Sequence, residues 1–186
     1  KPTAKRVPLE GAFPLSYSLD SIGPLARNVQ ACADADAVMA GEEPASLSPR
    51  PLAGLRVGIP RGRLLQDTEP AVVEAFEAGL RRLEAAGTRI AEHDIEDLLG
   101  ALAELSAPAS IAAIEAAEIH ADWLQARAAE FDPRVQGRIA LGAAIPASVY
   151  IRMLRRRTAL TREMDRRLAP VDALALPTVP IAAEMS

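Results

Sequence analysis

The side chains able to do chemistry in this chain are few and scattered: His93, His120 and Cys32. No pair of them has the spacing of a metal site. There is no Gly-x-Ser-x-Gly turn to present a nucleophile, no glycine loop to cradle phosphate and no dinucleotide fingerprint. His93 falls in a predicted strand and His120 on a predicted helix, and each reads as a surface or hydrogen-bonded histidine. Cys32, on a helix face, reads as a small packed apolar group. Arginines crowd the stretch between Arg152 and Arg167. With no aromatics interleaved and a net charge of −4, they read as a solvated helix face paired with acids, not as a nucleic-acid surface.

These groups must be positioned by a chain of 186 residues, 49% apolar and 25% charged, which is ordinary for a globular protein. One cysteine excludes an internal disulfide and fits a reducing, cytoplasmic setting. No apolar run is expected to span a bilayer; the best candidate, residues 173–183, contains Pro177 and Pro180. The first residue is Lys1, and no charged-then-apolar signal segment follows it. The chain is therefore expected to begin inside a longer protein.

Residues 1–25 carry Pro2, Pro8, Pro14 and Pro24 and read as an irregular segment that packs on something through its apolar side chains. A helix is predicted over 26–40, with Val29, Cys32 or Ala33, Ala37 and Met39 inward and Gly41 as its stop. After a Pro-rich connection, 55–60 reads as a strand. Asp67 or Thr68 is expected to cap a helix with Pro70 in its first turn, where a missing N–H costs nothing. Val72, Phe76, Leu80 and Leu83 form its apolar stripe, and Gly87 ends it. Residues 88–95 read as a second strand, so that 55–95 makes a parallel βαβ unit. From 97 to 170 the pattern is helical, with breaks near Pro108, at Asp132-Pro133 and at Pro146. The last helix, 147–168, has Val149, Met153, Leu160, Met164 and Leu168 on one side. Residues 172–177 read as a buried strand leading into a Pro-rich loop. There is no internal repeat.

Several motifs occur in one order along the chain. They are Lys1-Pro-Thr, Arg6-Val-Pro, Gly11, Phe13-Pro-Leu, Ser18-Leu-Asp-Ser-Ile-Gly-Pro-Leu-Ala-Arg27, Asp132-Pro-x-Val, Arg138-Ile-Ala-Leu-Gly142 and Asp172-Ala-Leu-x-x-Pro177-Thr-x-Pro180. Together they resemble the amidase signature family over essentially the whole length. The resemblance implies an α/β chain that is part of a three-layer α/β/α fold with a mixed sheet. It implies that residues 1–186 are the C-terminal portion of such a domain. The catalytic N-terminal half and the final C-terminal strands would then lie outside the chain.

The chemistry it implies is hydrolysis of a carboxamide. A serine attacks the carbonyl, a second serine in a cis peptide relays the proton, and a lysine is the base. All three precede the position of Lys1 in that pattern, so no catalytic residue is assigned here, and neither Lys1 nor Lys5 takes the lysine's place. Arg138 is the candidate substrate-binding residue, its guanidinium suited to a carboxylate through two parallel hydrogen bonds. Its alternative is a structural arginine. Thr178 is the second candidate, at the mouth of the Pro-Thr loop, with a turn role as its alternative. Asp20 is expected to support the backbone.

No cofactor and no metal is implied. The expected partners are a small-molecule amide and the remaining part of the same protein, with no nucleic acid and no membrane, and a homodimer stays open. Ser21 stands where the A subunit of a glutamine-dependent tRNA amidotransferase usually has Gln, and that protein's Arg-Tyr-Gly landmark is missing. A stand-alone amidase is therefore the first expectation. The amidotransferase component is one alternative, and a non-catalytic assembly module that needs a partner chain is another.

Overall fold

The computed structural model describes residues 2–183. Lys1, where the motif series begins, lies outside the described residues. The elements run α1 (Val29–Met39), β1 (Arg56–Ile59), α2 (Pro70–Ala85), β2 (Arg89–Glu92), α3 (Glu96–Ser106), α4 (Ile111–Ile119), α5 (Ala121–Arg127), α6 (Pro133–Ala143), α7 (Ala147–Leu168) and β3 (Ala173–Leu174), with one 3-10 turn at Ala128–Glu130. The chain divides into two compact units. The first holds Lys1–Pro49 and Leu105–Arg155, the second Arg50–Glu104 and Arg156–Ser186.

The second unit contains the expected βαβ. β1 lies between β2 and β3, and both pairs are parallel, with Val57 opposite Ile90 on one side and Ala173 on the other. Val57, Ile59 and Leu80 form the buried core, with Phe76, Ile90 and Ala175 packed around it. The stripe on α2 is thus real, but only Leu80 is fully buried; Val72, Phe76 and Leu83 are half-buried. Gly58 is required because a Cβ there would sit 2.7 Å from the Cβ of His93.

Three expectations for this unit need correction. The cap of α2 is Glu69, not Asp67 or Thr68, and no side chain caps the helix. Asp67 adopts a left-handed backbone, φ 57°, and not the extended conformation usual at a helix N-cap. The Glu69 carboxylate is taken by the loop after β3 instead, accepting from the Ala182 N–H at 3.0 Å, while Glu69 N donates to the Pro180 carbonyl at 2.8 Å. The strand expected over 172–177 covers only Ala173–Leu174 and is not buried: Ala173 is exposed and Leu174 half-buried, because this strand lies at the sheet edge with β1 as its neighbour. Finally, the longest apolar candidate for a span is not residues 173–183 but Glu96–Ile119, 24 residues whose 18-residue window has a mean hydropathy of 1.4. It is broken at 107–110, beside Pro108, into helices of 11 and 9 residues. Each is far below the roughly 20 residues a membrane span needs.

In the first unit α1 starts at Val29, later than expected, because Asn28 caps it by accepting from Ala31 N at 2.8 Å. Ala37 is buried as predicted, but Val29 is 75% exposed. Asp132 caps α6 as predicted, accepting from Arg134 N at 2.8 Å and Val135 N at 3.4 Å, with Pro133 at the first helical position. α6 packs on α4 so closely that a Cβ at Gly142 would fall 2.1 Å from the Ala113 carbonyl oxygen. On α7, Met153 is buried. Its arginines behave in part as the sequence suggests: Arg166 and Arg167 pair with Glu163, and Arg167 also with Asp97 at 2.9 Å.

Candidate functional site

The first unit holds an aromatic concavity of about 360 Å³, lined by His120, Trp123, Arg127, Glu130, Phe131, Asp132 and Val135. It forms because α4 gives way to α5 at His120, and α6 starts again at Pro133, leaving ring side chains at both turns. Phe13 stacks on Trp123 with ring centroids 5.3 Å apart and planes 15° from parallel. His120 lies 5.6 Å from Phe13 and meets Phe131 edge-on, also at 5.6 Å. These are the offset and edge geometries that aromatic quadrupoles favour. His120 Nδ1 is buried and has no hydrogen-bond partner among the described residues. The bland reading of His120 therefore gives way to an aromatic one: it is a member of a ring cluster.

The rim of this concavity is charged but internally paired. Arg127 clasps Glu130 through the Nε and Nη2 edge of its guanidinium, one donor to each carboxylate oxygen, which raises the arginine and lowers the carboxyl from their ordinary ranges. Asp132 is held below the usual carboxylate range by Arg134 side-chain and backbone donors, with a smaller contribution from the field of Arg138.

Arg138 itself is exposed on α6 and makes no ion pair or hydrogen bond among the described residues. The 135/138/139/142 side of the helix is split between buried and open positions. Ile139 and Gly142 are buried, while Val135 is 46% exposed and Arg138 is open. The closest approach to α4 is at the Gly142 end of the helix. Thr178, in the second unit, is exposed in the bend after β3, with no hydrogen bond among the described residues.

Below the segment that carries Phe13 is a polar cluster that sequence reasoning missed. Glu115, on α4, is 6% exposed. Its carboxylate accepts from Ser16 Oγ and from Ser18 N at 2.9 Å through one oxygen, and from the Tyr150 hydroxyl at 2.6 Å through the other. Burial pushes this carboxyl up, and the donors together outweigh it, leaving it below its usual range. The Glu115 bond, with burial and the carboxylate charge behind it, pushes the Tyr150 phenol up to about 12. Asp20 accepts from Leu15 N at 2.8 Å and Ser16 N at 3.0 Å, the backbone support expected of it. One signal was available: Glu115 is an acid in the apolar run Ile111-Ala-Ala-Ile-Glu-Ala-Ala, where burial demands donors.

The fold and its ordered motifs meet their match in known proteins. The amidase family model covers residues 1–186. The chain belongs to the amidase family. It is 32% identical over 185 residues to the 2-amino-5-chloromuconic acid deaminase of Comamonas testosteroni, covering 97% of this chain and 39% of the deaminase. It is 31% identical over 216 residues to the A subunit of the glutamyl-tRNA(Gln) amidotransferase of Roseiflexus castenholzii, covering 98% of this chain and 44% of that relative. The crystal structure of an amidase superposes with a TM-score of 0.85 at 32% identity, over 98% of this chain and 41% of that one. This amidase-family chain thus spans about two fifths of the length of these relatives.

Proposed function

We propose that the protein to which these residues belong is an amidase that hydrolyses a small carboxamide through a serine acyl-enzyme, and that residues 1–186 alone do not turn substrate over. The observation that carries this reading is the family match over the whole chain, in motif order, without a nucleophile–base pair of its own. Serine adds to the carbonyl to give a tetrahedral oxyanion, whose collapse breaks the amide C–N bond and leaves the acyl-enzyme. The amine leaves with a proton, and water then releases the acid. Serine, relay serine and lysine come from the remainder of the protein. This chain contributes the aromatic concavity for the acyl group and an unpaired cation, Arg138, for an anionic substituent of the substrate. Arg138 feels the field of Asp132 but forms no ion pair or hydrogen bond among the described residues, and this supports the binding role over a purely structural one. Thr178, in the second unit, is the other residue we put forward for substrate binding. The protein is assigned to the bacterial cytoplasm and requires no cofactor.

A second reading, the A subunit of a tRNA amidotransferase, is favoured by 31% identity to that protein in Roseiflexus castenholzii. Ser21 and the missing Arg-Tyr-Gly landmark oppose it. Ammonia release from acetamide, benzamide and glutamine separates the two. The full-length protein is expected to act on simple amides without a partner chain, and the 186-residue chain on none. Turnover by the purified chain, or strict dependence of the full-length protein on glutamine and a partner, would overturn the proposal.

A further inference from the structure

Residues 13–19 are built inside out. Phe13, Leu15, Tyr17 and Leu19 point outward, with Phe13 62% and Tyr17 68% exposed, while Ser16 between them is 1% exposed. The segment turns at Ser16, whose carbonyl accepts from Leu19 N at 3.3 Å and Asp20 N at 3.0 Å. Here the inward pull is polar. Ser16 and Ser18 donate to Glu115, and Leu15 and Ser16 N–H groups donate to Asp20. Glu115 has no lysine or arginine within ion-pair distance among the described residues, so its charge is balanced by donors alone. A buried carboxylate of this kind is costly unless every donor is in place. If filling the space between α4, α7 and the segment were its only task, an apolar side chain of the same size would cost less.

What this anchoring presents is Phe13. Its ring stacks on Trp123 and lies beside His120, and both of those residues line the aromatic concavity. The geometry points to Glu115 as a positioning residue: by fixing Ser16 and Ser18 it keeps Phe13 in the stack that walls the concavity, and so sets a preference for amides with a flat apolar acyl group. The inference rests on the amidase reading. Glu115 touches no reacting atom and acts through Phe13.

The chain contains one tryptophan, so Trp123 reports on the stack directly. Glu115→Gln keeps the shape, removes the charge and sets its NH2 either against the Ser16 and Ser18 donors or against the Tyr150 hydroxyl. Ser16→Ala and Tyr150→Phe each remove one donor, and they carry the same comparison if Glu115→Gln does not fold. In the 186-residue chain, iodide quenching of Trp123 emission is expected to rise about twofold in Glu115→Gln as Phe13 leaves its face. In the full-length protein, the loss of kcat/KM on benzamide is expected to exceed the loss on acetamide by roughly tenfold. A merely structural glutamate would lower both equally. Unchanged quenching, or an unchanged benzamide-to-acetamide ratio with normal wild-type turnover, overturns the inference alone. A wild-type protein that turns over no amide overturns the amidase reading, and the substrate preference with it.

Discussion

Tyr150 donates its hydroxyl hydrogen to Glu115 across 2.6 Å, tying the first turn of α7 to the middle of α4. Tyr150→Phe leaves that carboxylate oxygen without its donor and is expected to cost about 1–3 kcal/mol in urea unfolding. The pH dependence has a definite sign. The phenol is raised from 10.0 to about 12, so its contribution is complete below pH 10 and is lost as pH rises through about 12. Wild type and Tyr150→Phe should therefore converge in stability over that window. A constant gap between them would contradict the bond.

Gly142 and Gly137 lie on the same helix but differ in what a methyl group would meet. At Gly142 a Cβ would fall 2.1 Å from the Ala113 oxygen and 2.3 Å from its carbonyl carbon, both backbone atoms that cannot swing aside; at Gly137 nothing lies within 4 Å. Gly142→Ala is expected to lower stability by about 1–3 kcal/mol or more. Gly137→Ala should be neutral or raise it by roughly 0.5–1 kcal/mol through helix propensity. Equal effects in chemical denaturation would show that α4 and α6 do not approach as closely as described.

Leu80 is 6% exposed, while Phe76 is only partly buried against the same core. Leu80→Ala should cost about 2–5 kcal/mol. Phe76→Ala should fall below the roughly 3–5 kcal/mol of a fully buried phenylalanine. A larger loss for Phe76 would mean that its ring is covered more completely than the structure shows.

Asp172 accepts from Arg56 at 2.9 Å, and the guanidinium and backbone donors of Arg56 lower its carboxyl from 3.8 to about 2. The stability this pair adds is present above pH 3.8 and lost as pH falls through about 2. Both side chains are exposed, so the effect is small. NMR titration should place the Asp172 midpoint near 2, and Arg56→Leu should return it toward 3.8.

Arg138→Ala in the full-length protein should lower kcat/KM for a carboxylate-bearing amide by roughly one to three powers of ten, with the melting temperature nearly unchanged. The unpaired, exposed guanidinium predicts little structural cost. Wild-type kinetics, or failure to fold, would remove the binding role.

Local chemistry made much of this legible in advance. The βαβ over 55–95, the Asp132-Pro133 helix start and the breaks at Pro108 and Pro146 follow from proline geometry, capping groups and apolar period, and all appear in the structure. The amidase family was readable too, because its motifs are contiguous runs of residues. What failed depended on distant atoms. Asp67 and Thr68 were plausible caps until the left-handed turn at Asp67 and the loop carrying Pro180 and Ala182 engaged Glu69 instead. The buried strand over 172–177 shrank to an edge pair, because burial depends on neighbours and not on composition.

The candidate site divides in the same way. Sequence alone determined which residues are present and that Arg138 follows a helix start at Asp132-Pro133; it also carried Glu115 in an apolar run, a signal the reading passed over. Only the tertiary structure decided that Phe13 stacks on Trp123 and that Ser16, Ser18 and Tyr150 converge on Glu115, groups 97 and 99 positions apart in two of the pairs. The physical reason is one of range. Helix periodicity and caps act within a few residues, whereas a buried carboxylate draws its donors from whichever segments the fold brings within about 3 Å.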